Sequence, residues 1–270
     1  MSTSDQPAVI NNSHPVSSER ARYWLDRWDR QQEYYMPDRE DRFAAIGDLL
    51  EICLSRPDAL VVDLGVGPGS LAHRLITRFD RIDVVGVDAD PLLLELADAA
   101  YGSSRFRTVR ADLRRPDWFA ALGLDRAPDA FVSTTALHWI NKEPLRELLA
   151  ECGKVIAPGG VFIDADHLYE GDAAPRIDEA LRKVTADRLA RIRPIDAEDW
   201  GDWWKAVEAE PELAAAVAAR DGGFDHTITD RPTVGDYLQF LRDGGFTEAG
   251  IAWQIGDDRI LLGLADADTR

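Results

Sequence analysis

Cysteine is scarce in this 270-residue chain: Cys53 and Cys152 stand far apart with no C-x-x-C spacing. That excludes a disulfide framework, a cysteine zinc site and a dithiol redox motif, and points to a reducing compartment, the cytoplasm. No apolar run approaches the ~20 residues a membrane span needs. The opening MSTSDQPAVINNSHPVSS also lacks the basic start and apolar centre of a signal peptide. A soluble protein is the expectation, with no membrane partner. Positive charge is the third shortage. Thirty-one Lys and Arg face 49 Asp and Glu, a formal charge of −18. Such a surface repels a polyanion, so DNA and RNA are not expected partners. There is no internal repeat, and the polar opening, residues 1–17, reads as a disordered tail.

Alternation fills the rest. ERARYWLDRWDRQQEYYM carries Tyr23, Trp24, Trp28 and Tyr35 at helical spacings, and a second helix is expected from Asp38 to about Leu54. Residues 18–56 thus form an N-terminal helical cap. From Ala59 the runs LVVDLG, DVVGVDAD, FRTVRADL, DAFVSTTAL and GVFIDADH read as strands, and SLAHRLITRF, PLLLELADAA and PLRELLAECGKVI between them as helices. Parallel neighbours need crossover connections, so this alternation predicts an α/β fold: a Rossmann-like, seven-stranded sheet with helices on both faces. Residues 168–231, with Trp200, Trp203 and Trp204, break the pattern as a helical lid inserted between strands 5 and 6. After a helix stopping at Gly244-Gly245, TEAGIAWQI and DRILLGL read as a hairpin closing the sheet edge. The ligand-binding domain is then 57–167 with 232–270.

In such sheets the ligand sits at the carboxyl ends of the strands, where glycines let the backbone come close. The loop after the first strand is 65-GVGPG-69, preceded by Asp63. A dinucleotide fingerprint G-x-G-x-x-G counted from Gly65 would need glycine at Ser70, and no tyrosine is followed four positions later by lysine. A nicotinamide-dependent oxidoreductase is therefore the weaker of two enzyme readings. With 63-DLGVGPG-69, Asp88 ending VVGVDAD and Asp112 ending VRADL, the chain resembles the class I S-adenosylmethionine-dependent methyltransferases from about Ala59 to His167 and again in the final hairpin.

That resemblance implies S-adenosylmethionine as cofactor and a site residue by residue. Gly65, Val66, Gly67 and Gly69 would cradle it, and Asp63 would orient the loop or meet the cofactor's ammonium through water. Asp88, with Ala89 beside it, would accept from both ribose hydroxyls, since an ionised carboxylate is acceptor-only. Asp112 would accept from the adenine amine, the N–H of Leu113 would donate to a ring nitrogen, and Thr134 at the end of the fourth strand completes the set. Aspartates at strand ends also cap helices, and Asp90 before Pro91 reads as such a cap.

The fourth strand ends in STTALHWI, without the Asn-Pro-Pro-aromatic signature of amide and adenine-amine methylation. Its His138-Trp139 pair is similar to the His/Gln-Trp pair of small-molecule carboxyl methyltransferases, among them the trans-aconitate and juvenile hormone acid methyltransferases. The reaction implied is methyl transfer to a small molecule at oxygen, on a carboxylate or a hydroxyl. His138 is the catalytic candidate, as a base or as a hydrogen-bond partner of the acceptor, and the alternative is a helix-entry residue above a packed Trp139. Tyr34, Tyr35, His138 and Trp139 are the candidate substrate residues.

Other features carry structural readings. The run 164-DADH-167 puts acids at a strand end with His167 in the lid hinge, and no metal is called for. His14, His73 and His226 receive no role. Between Arg176 and Arg193 six basic and three acidic side chains suit either an anion-attracting lid or a solvated amphipathic helix with Ile177, Leu181, Val184 and Ile192 facing inward. A cofactor-binding module without turnover is the non-enzymatic alternative.

Overall fold

The apolar runs become one sheet. The computed structural model describes residues 16–192, 197–220 and 227–267; the expected tail up to residue 15, His14, Arg193 and His226 lie outside them. Strands β1 (Leu60–Leu64), β2 (Asp83–Asp88), β3 (Phe106–Arg110), β4 (Ala130–Thr134) and β5 (Val161–His167) are parallel to one another. The hairpin of β6 (Phe246–Ile255) and β7 (Asp258–Ala265) adds to β5 antiparallel. Across the sheet the order is β3-β2-β1-β4-β5-β7-β6. The winding reverses between β1 and β4, so their carboxyl ends flank a crevice, the usual place for a ligand in such sheets.

Both faces of the sheet are covered, which is why its strands read as continuous apolar runs. Leu60, Val62 and Leu64 point to one face and meet α5 (Trp118–Ala121), α6 (Lys142–Val155) and α10 (Val234–Asp243) through Trp118, Leu145, Leu149 and Tyr237. Val61 points to the other and meets α2 (Arg39–Cys53), α3 (Ser70–Arg78) and α4 (Pro91–Tyr101) through Ile46, Leu71 and Leu94. Each fully buried aliphatic side chain contributes roughly 1.5–3 kcal/mol. Asp90 caps α4 as its sequence implied, accepting from the Leu92 amide at 2.9 Å with Pro91 in the first helical position.

The N-terminal helix α1 (Ser18–Glu33) lies on α4 and is gripped from above by the lid. The lid helices α7 (Pro175–Ile192), α8 (Trp200–Glu208) and α9 (Ala214–Ala218) follow β5. Trp203 of α8 is fully buried, edge-on to Trp24 and Trp28 of α1, and its Nε1 donates to the Trp24 carbonyl at 3.2 Å. The lid helix α7 corrects the sequence reading. Ile177, Val184 and Ile192 are 57%, 45% and 49% exposed, Leu181 is half-buried, and the buried positions are Asp178 and Thr185. The helix docks through polar groups: Thr185 onto Asp257 in the β6–β7 turn, Arg188 onto Asp38, and Asp178 onto the Glu170 amide. No helix among the described residues is long and apolar enough to cross a membrane.

Candidate functional site

The loop leaving β1 turns on three glycines, each in the left-handed region: Gly65 (φ 70°), Gly67 (φ 53°) and Gly69 (φ 88°). Other residues enter that region at a cost of roughly 1–2 kcal/mol. The three have different surroundings. A Cβ on Gly65 would lie 2.3 Å from the Cβ of Ala136, because the loops after β1 and β4 touch there. A Cβ on Gly67 would meet nothing within 4 Å, since this glycine borders open cavity. A Cβ on Gly69 would press on Ala97 of α4 at 3.3 Å, so this glycine serves helix packing and does not line the cavity. Gly65→Val is expected to destabilise the fold by about 2–5 kcal/mol, strain plus overpacking. Gly67→Ala should cost about 1–2 kcal/mol, the strain alone. Equal losses in thermal unfolding would contradict this arrangement.

Asp88 closes β2 beneath the loop. Its Oδ2 accepts from the Gly67 amide and its Oδ1 from the Asp90 amide, each at 2.9 Å. Burial pushes its carboxyl up to about 6, and these two amides limit the rise. Asp63, one residue before the end of β1, is deeper. No side chain donates to its oxygens, and burial, together with the nearby Asp88, pushes it up to about 8 against the opposing pull of the Ala72 amide. At neutral pH it is mainly a neutral acid beneath the loop, not on the cavity wall, which suits the loop-orienting role and not a counter-ion to an ammonium.

A cavity of 450 Å³ opens over these strand ends. Its floor holds Gly65, Val66, Gly67, Asp88, Ala89, Asp112, Leu113 and Thr134, and its roof Trp28, Tyr35, Trp200 and Trp204 from α1, the turn after it and α8. Thr134 Oγ1 is buried with no hydrogen-bond partner, a polar atom a ligand would satisfy. Thr135, next along, has φ 49°, a strained backbone of the kind that gathers at functional sites. Asp112 departs from expectation. Arg114 grips its carboxylate with Nε and Nη2 at 2.8–3.2 Å; burial works to raise the carboxyl, but the arginine's hydrogen bonds hold it below its ordinary value. Tyr34 caps the end of α1 and is not on the wall, whereas Tyr35 is, its hydroxyl accepting from the Trp200 amide at 3.1 Å.

His138 and Trp139 both line the cavity, in a 3-10 turn (Leu137–Trp139) after β4. His138 is more than a helix-entry residue: its Nδ1 lies 2.8 Å from both oxygens of Asp166, and its own amide donates to Asp166 Oδ2 at 3.3 Å. Asp166 is wholly buried in β5. Burial works to raise its carboxyl, but His138 prevails and holds it below the ordinary range, while burial and Asp166 push the neighbouring Asp164 well up. Since the carboxylate is the acceptor, Nδ1 donates, and in the neutral imidazole that leaves the lone pair on Nε2. His167 reaches the cavity too, backed by Asp257 at 3.5 Å. None of the described basic side chains of α7 lines the cavity, and Arg182, Lys183 and Arg188 pair with Asp178, Asp187 and Asp38, which corrects the anion-attracting lid. Among the described residues no group of three or more His, Cys, Asp or Glu side chains is placed to hold a metal.

The sequence reading missed Asp166. Its signal was there: two acids two residues apart on a strand buried on both faces, a position where a charge needs a partner.

Known proteins resemble this arrangement. A family described as methyltransferase domain matches residues 61–160, from β1 to the start of β5. Trans-aconitate 2-methyltransferase of Azoarcus sp. (strain BH72) is 31% identical over 180 residues, covering 65% of this chain and 66% of that protein. An uncharacterized methyltransferase of Geobacillus sp. (strain WCH70) is 26% identical over 210 residues, 77% of this chain and 89% of that one. The chain thus spans just under two thirds of the Azoarcus protein and about half of the trans-aconitate 2-methyltransferases of Deinococcus radiodurans and Methylobacterium nodulans. Human N-acetylserotonin methyltransferase, solved in complex with SAM, shares the fold with a TM-score of 0.50 at 15% identity, over 93% of this chain and 60% of that one.

Proposed function

We propose that this chain, whose residues 61–160 match a family described as methyltransferase domain, is a class I S-adenosylmethionine-dependent methyltransferase that transfers a methyl group to an oxygen of a small molecule. The observation that carries the reading is the His138–Asp166 pair on the cavity wall: an imidazole fixed by a buried carboxylate at 2.8 Å, in a pocket roofed by aromatic side chains.

The cavity suits the cofactor. Asp88 retains lone pairs for a vicinal diol after accepting one amide on each oxygen, the side-chain-free face of Gly67 admits close approach, and Leu113 and Ala89 offer an apolar bed for a purine. Asp112 serves the adenine amine through whatever acceptor capacity Arg114 leaves it. Bound there, S-adenosylmethionine supplies a methyl group on a positively charged sulfur. The protein's share is alignment of the acceptor for in-line attack, and positioning of that kind supplies ~7–11 kcal/mol.

His138 decides which acceptor gains most. For a hydroxyl, Nε2 takes the proton as the oxygen becomes nucleophilic, and Asp166 holds the tautomer and stabilises the imidazolium. A carboxylate has no proton to lose at neutral pH, and a protonated His138 would then orient it by donating. The fixed tautomer favours the hydroxyl; the relatives named for trans-aconitate, a carboxylic acid, favour the second reading. Trp139, Trp200 and Trp204 keep water from the reacting atoms in either case. The acceptor is free in the cytoplasm in this proposal, with neither nucleic acid nor membrane as partner.

Ligand-induced stabilisation separates this reading from a nicotinamide oxidoreductase. S-adenosylhomocysteine at 100 times its Kd should stabilise the fold by about 2.7 kcal/mol, while reduced nicotinamide dinucleotide leaves the melting temperature unchanged. Stabilisation by the dinucleotide alone would overturn the proposal.

A further inference from the structure

Across the sheet, β5 lies on the opposite side of the β1 loop from β2 and β3, so His167, at its end, lines the part of the cavity away from Asp88 and Asp112. It shares that part with His138. One carboxylate joins the two residues: Asp166 Oδ1 accepts from the His167 amide at 2.7 Å and from the His138 ring at 2.8 Å. Proton removal from an acceptor needs only one imidazole.

The second imidazole is braced for a different task. Its Nδ1 lies 3.5 Å from Oδ1 of Asp257, a buried acid in the β6–β7 turn that also accepts from Thr185 of the lid helix α7. Asp258 follows at the start of β7, opposite His167 in the sheet register. Arg42 answers Asp258, with Nη1 on its Oδ1 at 3.0 Å, and among the described residues Asp257 has no cationic partner other than His167. Burial opposes a charge on the His167 ring, but Asp257, Asp258 and Asp166 prevail and raise its pKa above the ordinary histidine value. With Nδ1 turned to the acid, Nε2 is the ring's remaining donor, and no hydrogen bond among the described residues reaches it. A charged donor on the wall of an aromatic-roofed cavity matches an anionic oxygen.

We propose that His167 binds the acceptor: braced by Asp257, its imidazolium holds an anionic oxygen of the acceptor other than the one methylated beside His138. This rests on the methyl-transfer reading and adds a substrate class to it, oxygen acceptors that carry a separate acid group. An acceptor gripped at both imidazoles is fixed in orientation as well as in place, which is what in-line attack requires.

The test identifies, by mass spectrometry, the labelled product that the full chain forms from methyl-labelled S-adenosylmethionine and a fractionated metabolite extract. Its unmethylated parent is then compared with the same compound made neutral at the acid group, as an amide or ester. The product is expected to carry an acid group apart from the methylated oxygen. His167→Gln should raise KM for the acidic form by about 10- to 150-fold, the range for a hydrogen bond to a charged group, with a smaller change in kcat, and should leave KM for the neutral form and the affinity for S-adenosylhomocysteine as they are. In the wild type the preference for the acidic form should fade as pH rises and His167 loses its proton, a readout that stands even where His167→Gln fails to fold. Thr185→Val, which releases Asp257 from the lid, should keep the preference. A product without a separate acid group, an equal change of KM for both forms in His167→Gln, a preference that does not vary with pH, or its loss in Thr185→Val, which would make His167 a strut of the lid, overturns the proposal. A wild type that forms no labelled product contradicts the methyl-transfer reading itself and takes the proposal with it, an outcome distinct from a product that His167 does not select.

Discussion

Replacing His138 by Ala is expected to lower turnover on a hydroxyl acceptor by about 10²–10⁴, the usual worth of a positioned base. The acid limb of the wild-type pH–rate profile should vanish with it. Asp166→Asn should reproduce much of the loss without touching the cavity wall. An amide can donate to Nδ1 where the carboxylate only accepts, and it would leave the proton on Nε2, where the base must be free. On a carboxylate acceptor the same pair of variants should behave differently: a smaller fall in turnover, a larger rise in KM, and a wild-type profile without an acid limb, since no proton has to leave the acceptor. His138→Asn separates positioning from proton transfer, because it keeps a donor and loses the base. Wild-type rates and profiles in both His138 variants, on any acceptor, would remove every chemical role given to this residue.

Asp88→Ala should weaken S-adenosylhomocysteine by about 1.5–3 kcal/mol, since the lost contacts join hydroxyls to a charged acceptor. Asp88→Asn, which keeps one acceptor oxygen for the Gly67 amide, should fall between the variant and the wild type. The same carboxylate gives the binding a pH dependence with a definite sign. Only its ionised form accepts from both hydroxyls, and in the free protein it titrates near about 6. Affinity should therefore be full above that pH and drop about tenfold for each unit below it. Stability of the ligand-free fold should run the other way. Asp63 and Asp88, pushed up to about 8 and about 6, hold protons in the folded state that an unfolded chain releases near ~4, so the fold loses stability as pH rises through this window. An affinity flat across this range in calorimetry would contradict the ribose-binding role of Asp88.

The sheet was legible because its information is local. Strands buried on both faces must be apolar throughout, and the positive φ of Gly65, Gly67 and Gly69 leaves a spaced glycine signal. Asp88 was legible for the same reason: the loop and the strand end that it joins lie side by side in a parallel sheet. The partners across the cavity were not. Asp166 sits 28 residues from His138, and His167 meets Asp257 only after the β6–β7 hairpin folds back along β5. Sequence spacing carries no record of such meetings. Tyr34 and Tyr35 show how fine the limit is, since adjacent residues at a helix end point apart and only Tyr35 reaches the cavity. The inward face of α7 misled for a physical reason: its dock is built from Thr185, Arg188 and Asp178, so apolar periodicity marks the side left in solvent.

Methyl transfer itself is the most direct measurement. Protein incubated with methyl-labelled S-adenosylmethionine and a fractionated metabolite extract is analysed by mass spectrometry for a labelled product and for S-adenosylhomocysteine. The account predicts a small molecule one methyl group heavier, labelled on oxygen, formed together with S-adenosylhomocysteine and lost with His138→Ala. S-adenosylhomocysteine binding without any labelled product across the fractions, or a label carried on nitrogen or carbon, would contradict it.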